Sequence, residues 1–116
     1  MQKIYLSIPY SWNQEVSFRV ANEVSAKLMQ EGNIVFSPIS HSHPIADYLP
    51  DNIRTDSEWW LQQDLCWIEH CDKLVIIDLF EYDGTRLIQE SIGVHSEYRY
   101  AGELGKQIDY YIYYGV

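Results

Sequence analysis

A short segment in the second half of the chain combines residues suited to binding an anion with a reactive side chain. Residues 91–97 read Ser-Ile-Gly-Val-His-Ser-Glu and lie between a polar loop and a helical pattern. Gly93 lets the backbone approach a ligand closely, and the amides of a helix start attract an anion. Ser91 and these amides would bind a phosphate or a sugar hydroxyl, with Glu97 directed at the ligand. The alternative is a solvated glutamate on a surface helix.

A second carboxylate, Asp64, lies in the predicted helix before the strongest strand pattern, whereas Glu97 lies in the helix after it. Cleavage of a C–N glycosidic bond requires one carboxylate to attack or stabilise the anomeric carbon and an acid to protonate the departing base. Asp64 and Glu97 are the candidates for these roles. Tyr5, in the first strand, could hold Glu97 in one rotamer. Asp64 could equally be an exposed helix carboxylate, and Tyr5 an ordinary core residue.

Several further side chains are candidates for binding a ligand. Arg19 could give charge-assisted hydrogen bonds to a phosphate, or be surface charge. Tyr10 and Trp60 could stack on a base, or serve the core or an interface. The predicted substrate-binding residues are Ser91, Gly93, Pro9, Tyr10, Arg19, His43 and Trp60.

The histidines and cysteines do not form a recognised metal site. His41 and His43 make a His-x-His pair without an evident third ligand, and Cys66, His70 and Cys71 have no zinc spacing. We therefore expect neither a metal nor another cofactor, and we expect two free thiols.

The order of secondary structure predicts an α/β fold. Strand and helix patterns alternate, which is typical of a parallel sheet with helices on both faces and a ligand site beyond the carboxyl ends of the strands. Residues 39–57 contain turn formers and little periodicity, so they are predicted as a long lid or binding loop. The predicted strands are residues 3–8, 34–36, 73–79 and 106–114, and the predicted helices are residues 14–31, 57–71 and the segment that follows residue 91.

Composition favours a single domain over residues 1–116. The content of apolar residues is 47%, enough for a globular core, and the net charge is −9 from 17 acidic and 8 basic residues. An acidic chain without a basic face is a poor ligand for long nucleic acid. No apolar run could span a membrane, and the N-terminus is unlike a signal peptide, so we expect a cytoplasmic protein without membrane contact.

Three blocks of sequence resemble the nucleoside 2-deoxyribosyltransferase-like superfamily. Residues 3–10 (Lys-Ile-Tyr-Leu-Ser-Ile-Pro-Tyr) are similar to its opening strand, residues 64–75 to its second-helix block, and residues 91–97, with Ala101 and Gly105, to its nucleophile block. The Pro-Tyr-Ser start and the Ser-His-Ser-His-Pro segment look closer still to a subgroup of short, uncharacterised bacterial and phage proteins.

This resemblance implies a flavodoxin-like three-layer sandwich with a parallel sheet of about four or five strands. It implies cleavage, by hydrolysis or transfer, of the N-glycosidic bond of a 2′-deoxynucleoside or its 5′-monophosphate, in a homodimer or higher homo-oligomer. By position Glu97 matches the nucleophile, Asp64 the second acid and Tyr5 the tyrosine that orients the nucleophile. Ser91 stands where the transferases have an aspartate and the related 2′-deoxynucleoside 5′-phosphate N-hydrolases have a serine, which favours a monophosphate.

One departure from the family pattern leaves other functions open. The hydrolases carry a glycine-rich, arginine-containing phosphate loop after the first strand, whereas this chain has Pro-Tyr-Ser-Trp-Asn at residues 9–13. A catalytically inactive nucleotide-binding module and a structural or interaction protein are therefore the alternatives to an N-glycosidase or deoxyribosyltransferase.

Overall fold

A four-stranded parallel sheet forms the middle layer of the protein. The computed structural model describes residues 1–116 and orders the strands β2-β1-β3-β4, each pair parallel. The strands are β1 (Lys3–Ser7), β2 (Ile34–Phe36), β3 (Lys73–Phe80) and β4 (Gln107–Tyr114). The α/β class and the parallel sheet predicted from the sequence are confirmed.

Helices cover both faces of this sheet, which gives three layers. The helices are α1 (Gln14–Gln30), α2 (Pro38–Ala46), α3 (Asp51–Arg54), α4 (Ser57–Glu69) and α5 (Ile92–Glu103). Neighbouring residues of a strand point to opposite faces. On one face Ile4 and Leu6 of β1 pack with Val20 and Val24 of α1. On the other face Tyr5 packs in a second cluster, formed with apolar residues of α4 and α5.

The central position of β3 explains its unbroken apolar run. Residues 74–79 are all buried, because β1 and β4 flank the strand and helices cover its two faces. Its parallel partners bring their carboxyl ends to the same edge of the sheet. The segments that follow β1, β2 and β3 therefore meet at that edge.

The prediction of a long loop over residues 39–57 is wrong, because α2 and α3 occupy most of this segment. Ser37 caps α2 by accepting a hydrogen bond from the Ser40 amide at 3.3 Å. Pro38 stands in the first turn, where a helix does not need its missing N–H. Proline and serine therefore begin a helix here. By contrast, helix α4 begins where the sequence predicts, and Asp56 caps it by accepting from the Glu58 and Trp59 amides.

No helix in the chain combines the length and the apolar character needed to cross a lipid bilayer.

Candidate active site

A cleft of about 760 Å³ lies at the edge of the sheet where the strand order predicts a ligand site. The segment after β1, helices α2 to α4 and the segment leading into α5 form its walls. Glu97 and Asp64 both line it. The cleft has the volume typical of a small-molecule site.

Glu97 lies on the buried stripe of α5, which places its carboxyl between the helix and the sheet. Val94, Glu97 and Ala101 are three and four residues apart and form the buried side of the helix. Only 7% of Glu97 is exposed. Its Oε1 accepts a hydrogen bond of 2.8 Å from the Oγ of Ser7, the last residue of β1, which is completely buried.

The pKa of Glu97 is raised from 4.5 to about 7, chiefly because burial removes the carboxylate from water. The hydroxyls of Tyr5 and Ser7 oppose this rise by stabilising the anion, and the nearby charge of Asp64 adds to it. Glu97 is therefore a carboxyl that changes its charge near neutral pH, the range in which a catalytic carboxyl works.

Tyr5 lies close to Glu97 and is fully buried, so it does not itself line the cleft. Burial raises its pKa well above 10, and the negative charges of Glu97 and Asp64 raise it further. The hydroxyl does not meet hydrogen-bond geometry with any partner, although it is close enough to Glu97 to favour the anion. A buried hydroxyl that keeps its proton and has no partner is free to donate to a nearby carboxylate.

Asp64 belongs to the middle of α4 and is partly buried in the cleft wall. Burial raises its pKa from 3.8 to about 7. It forms no hydrogen bond or ion pair with another side chain of the protein, in contrast to Glu97. Two carboxyls that titrate near neutrality thus border one cleft, and only Glu97 has hydroxyl groups that stabilise its charged form.

The first turn of α5 forms another part of the cleft wall. Ser91 is its N-cap, and its Oγ accepts from the Val94 amide at 3.2 Å, which leaves the hydroxyl proton free. A Cβ at Gly93 would meet no protein atom within 4 Å, so the space beside this residue is open. Both residues line the cleft. The turn therefore presents a hydroxyl and free amides to a ligand.

The other residues predicted to bind substrate divide into two groups. Pro9, Tyr10, His43 and Trp60 line the cleft. Arg19 does not, in contrast to its predicted role: it lies on the exposed side of α1 and pairs with Glu23 at 3.2 Å. The buried stripe of α1 contains the residues at positions 17, 20, 21 and 24, so position 19 points to solvent.

Two residues of the site were not recognised from the sequence. Ser7 follows Tyr5 by two positions in the strand, so the two side chains share one face of the sheet. This spacing could have identified Ser7 as a neighbour of Glu97. Arg54 lies in α3, within the segment predicted as a loop, and no periodicity marked it. It lines the cleft and pairs with Asp51 at 2.7 Å, with 43% of its side chain exposed.

The remaining histidines and cysteines are dispersed. No group of three or more histidine, cysteine, aspartate or glutamate side chains is arranged to hold a metal ion. Cys66 is an exposed thiol and Cys71 a buried one, and neither is in a disulfide.

Two solved structures share this fold along nearly the whole chain. A 2-deoxyribosyltransferase from the psychrotolerant bacterium Bacillus psychrosaccharolyticus aligns with a TM-score of 0.66 at 24% identity, over 98% of this chain and 74% of that one. A 2-deoxyribosyltransferase from Leishmania mexicana aligns with a TM-score of 0.63 at 19% identity, over 97% of this chain and 65% of that one. The resemblance to the nucleoside 2-deoxyribosyltransferase-like superfamily is therefore confirmed at the level of the fold.

The chain spans less than two thirds of the Leishmania mexicana protein. A comparison with curated proteins finds no match. A family model described as a domain of unknown function (DUF1937) matches residues 2–113. Since this match takes in nearly the whole chain, the protein belongs to the DUF1937 family and has the fold of the 2-deoxyribosyltransferases.

Proposed function

We propose that this protein cleaves the N-glycosidic bond of a 2′-deoxynucleoside or its 5′-monophosphate, by hydrolysis or transfer. The observation that carries the proposal is the pair of carboxyls, Glu97 and Asp64, that border one cleft and both titrate at about pH 7. The two relatives in fold are described as 2-deoxyribosyltransferases, which supports a deoxyribosyl substrate.

The environments of the two carboxyls suggest different roles. Glu97 receives a hydrogen bond from Ser7 and is favoured as an anion by Tyr5, so it is the better nucleophile. Asp64 is buried without such donors, so no hydrogen bond stabilises its anion and it is the better candidate for the acid. Because the charge of Asp64 also raises the pKa of Glu97, ionisation of one carboxyl favours protonation of the other.

The reaction then proceeds in two balanced steps. The Glu97 carboxylate forms a bond to the anomeric carbon while the C–N bond breaks, and Asp64 gives its proton to the departing base nitrogen. The resulting glycosyl ester is attacked by water in hydrolysis, or by a second base in transfer, while Asp64 takes up the proton of the attacking group. Glu97 leaves as the carboxylate, and both residues return to their starting states.

The rest of the cleft suits the other parts of such a ligand. The Ser91 hydroxyl and the first amides of α5 would bind the sugar or phosphate oxygens. Tyr10 and Trp60 offer aromatic surface for a base. Arg54 is the arginine at the cleft and would neutralise part of a phosphate charge.

Release of free base tests the function. The protein is incubated with a panel of 2′-deoxynucleosides and their 5′-monophosphates, and we expect base release by the wild type and none by Glu97→Ala. Glu103→Ala is the matched control, because Glu103 is an exposed carboxylate of the same helix that does not line the cleft and should retain activity. No base release from any member of the panel would remove the enzymatic proposal.

A nucleotide-binding module without turnover is the second candidate. The observation that favours it is the burial of Glu97, which leaves a large part of this carboxyl protonated, and so non-nucleophilic, near neutral pH. This candidate predicts that nucleotides raise the melting temperature without release of base. It also predicts that Glu97→Gln binds them as the wild type does.

We also propose that the chain forms a homodimer or a higher homo-oligomer. Strand β4 is an edge of the sheet, and its residues Tyr110, Ile112 and Tyr114 are all at least half exposed. An apolar edge strand of this kind favours association with another chain. Sedimentation equilibrium tests this, and a monomer at all concentrations would contradict it.

A further inference from the structure

A hydrogen-bonded chain of three side chains crosses one end of the cleft and is not used in the proposed reaction. Tyr10, in the loop after β1, contacts Nδ1 of His43 through its hydroxyl at 2.5 Å. Nε2 of the same ring lies 3.0 Å from Oε1 of Glu15, at the start of α1. Tyr10 and His43 both line the cleft.

The His43 ring is fixed in place by its aromatic neighbours. It stacks on Phe18 with 4.4 Å between ring centroids and 28° between planes. It meets Tyr10 edge to face at 5.8 Å and 84°. A flip of the ring by half a turn would put carbon atoms in place of the two nitrogens and lose both hydrogen bonds, so each nitrogen keeps its own partner.

The partners of the ring determine where its proton lies. Glu15 offers a carboxylate oxygen, which can only accept, so Nε2 of His43 carries the hydrogen. In the neutral ring Nδ1 is then the acceptor, and Tyr10 donates its hydroxyl proton to it. The other tautomer would place a lone pair of Nε2 against the Glu15 carboxylate. Tyr10 therefore has no proton left for a ligand and can only accept from one.

Other groups at this end of the cleft reinforce its acceptor character. The pKa of Tyr10 is raised to about 12 by burial and by the charges of Glu15 and Asp47, so its hydroxyl stays protonated. Asp47 also lines the cleft and offers carboxylate oxygens. The indole N–H of Trp12 is bonded to the Pro9 carbonyl, so it is not free for a ligand.

The same holds for Trp60, whose indole N–H donates to the Arg54 carbonyl at 2.8 Å. The two tryptophans therefore contribute aromatic surface without a free donor. A base that enters the cleft beside the Tyr10 hydroxyl and Asp47 meets two acceptor groups, and a donor on the edge of the base satisfies them.

We propose that Tyr10, set as an acceptor by His43 and Glu15, selects nucleobases that carry an exocyclic amino group over those that carry a carbonyl at that place. This proposal rests on the proposed nucleoside or nucleotide ligand. The amino group donates one N–H to the Tyr10 oxygen, and Asp47 can accept the other. A carbonyl oxygen in the same position faces the lone pairs of Tyr10 and leaves Tyr10 and Asp47 without a donor.

Binding of matched ligand pairs tests the selection. Dissociation constants are measured by calorimetry at about pH 8, where histidine side chains are ordinarily neutral. Glu97→Gln is used, so that the ligands stay intact. The pairs are 2′-deoxycytidine with 2′-deoxyuridine and 2′-deoxyadenosine with 2′-deoxyinosine, as nucleosides and as monophosphates. We expect the amino member of each pair to bind about tenfold more tightly. Equal affinity, or a preference for the carbonyl member, overturns the proposal.

Two variants separate selection from a structural role. In the Glu97→Gln background, Tyr10→Phe should lose the preference because the amino ligands bind about tenfold more weakly. His43→Phe keeps an aromatic ring against Phe18 but frees the Tyr10 proton, so the carbonyl ligands should gain affinity. If Tyr10 and His43 only support the cleft wall, each variant should weaken the binding of every ligand to the same extent. That result would contradict the proposal. Tyr48→Phe, at a residue that is 90% exposed, is the control.

Base release by the wild type is measured in parallel, so that a failure of the selection can be told apart from a failure of the proposed function. A preference for amino ligands without base release leaves the selection standing and removes the enzymatic function. Base release, with equal affinities for the two members of each pair, leaves the enzymatic function standing and removes the selection. Failure of every ligand to bind removes both proposals.

Discussion

The hydroxyl of Ser7 donates a 2.8 Å hydrogen bond to the carboxyl of Glu97, a residue that lies 90 positions later in the chain. Both side chains are buried, and they join the end of β1 to α5, the helix whose Glu97 lines the cleft. The bond stabilises Glu97 as an anion while burial favours its neutral form. Ser7 therefore influences at which pH the proposed nucleophile is charged.

Replacement of Ser7 by alanine should move the activity of the protein to higher pH. Loss of a donor to an anion raises the pKa of Glu97 further, so kcat/KM should fall about tenfold near pH 6 and the acidic limb of its pH profile should shift upward by about one unit. Initial rates of base release between about pH 5 and pH 9 measure this. Ser25→Ala is the matched control, because Ser25 is a buried serine without a hydrogen-bond partner. An unshifted profile for Ser7→Ala would contradict the account.

Replacement of Tyr5 by phenylalanine should reduce turnover without reducing stability. The Tyr5 hydroxyl is buried and has no partner in the free protein, so its removal should leave the free energy of unfolding unchanged or raise it by up to about 1 kcal/mol. If the hydroxyl orients Glu97 in the reaction, kcat should fall about tenfold. Urea unfolding and base-release kinetics measure the two quantities. A loss of stability with unchanged kcat would show that Tyr5 is only a packing residue.

Glu97→Gln should change the dependence of stability on pH. The pKa of Glu97 is raised from 4.5 to about 7, so the folded protein binds more protons than the unfolded chain between these values. The stability of the wild type is then highest at low pH within this window and declines as the pH rises through about 7. The variant has no carboxyl to ionise and should escape this decline.

Between about pH 5 and about pH 9, the free energy of unfolding of the wild type should fall by roughly 3 kcal/mol more than that of Glu97→Gln. Asp64 titrates in the same window in both proteins, so its contribution largely cancels. Urea unfolding at the two pH values gives these energies, with Glu90→Gln as the exposed control. The same pH dependence in wild type and Glu97→Gln would mean that Glu97 is charged in the folded protein throughout this range.

Arg54 and Arg19 provide a matched test of phosphate binding. Each is a partly exposed arginine in an ion pair within its own helix, but only Arg54 lines the cleft. Arg54→Gln should weaken binding of a 5′-monophosphate about tenfold and leave the free nucleoside nearly unaffected. Arg19→Gln should change neither. Calorimetric titration measures both ligands, and equal effects of the two variants would argue against a phosphate subsite at Arg54.

The arrangement of strands and helices was predictable because each element has a clear period. The apolar run of residues 74–79 is typical of a buried strand, and the four-residue spacing of Val20 and Val24 is typical of a helix with one buried side. Residues 39–57 were not predictable in this way, because Pro38 and Pro44 indicate a loop when their helical positions are unknown. Pro38 begins α2, and Pro44 is accommodated near its end.

The candidate site likewise contains residues whose position follows from the sequence and residues whose position does not. The position of Glu97 in the cleft agrees with its place in the helix that follows β3, and its burial follows from the spacing to Val94 and Ala101. The hydrogen bond from Ser7 depends on a contact across most of the chain, which no local pattern contains. Arg19 has the charge that a phosphate requires, but its phase in α1 directs it to solvent, whereas Arg54 lies in a segment without a recognisable period.

A covalent intermediate on Glu97 is the most direct consequence of the proposed reaction. The protein is mixed with each 2′-deoxynucleoside and 5′-monophosphate, quenched in acid during turnover, and analysed by intact-mass spectrometry and peptide mapping. We predict a deoxyribosyl or phosphodeoxyribosyl adduct on Glu97 in the wild type, and neither adduct nor base release in Glu97→Gln. Base release by Glu97→Gln at the wild-type rate, or an adduct on another residue, would contradict the assignment of Glu97 as the nucleophile.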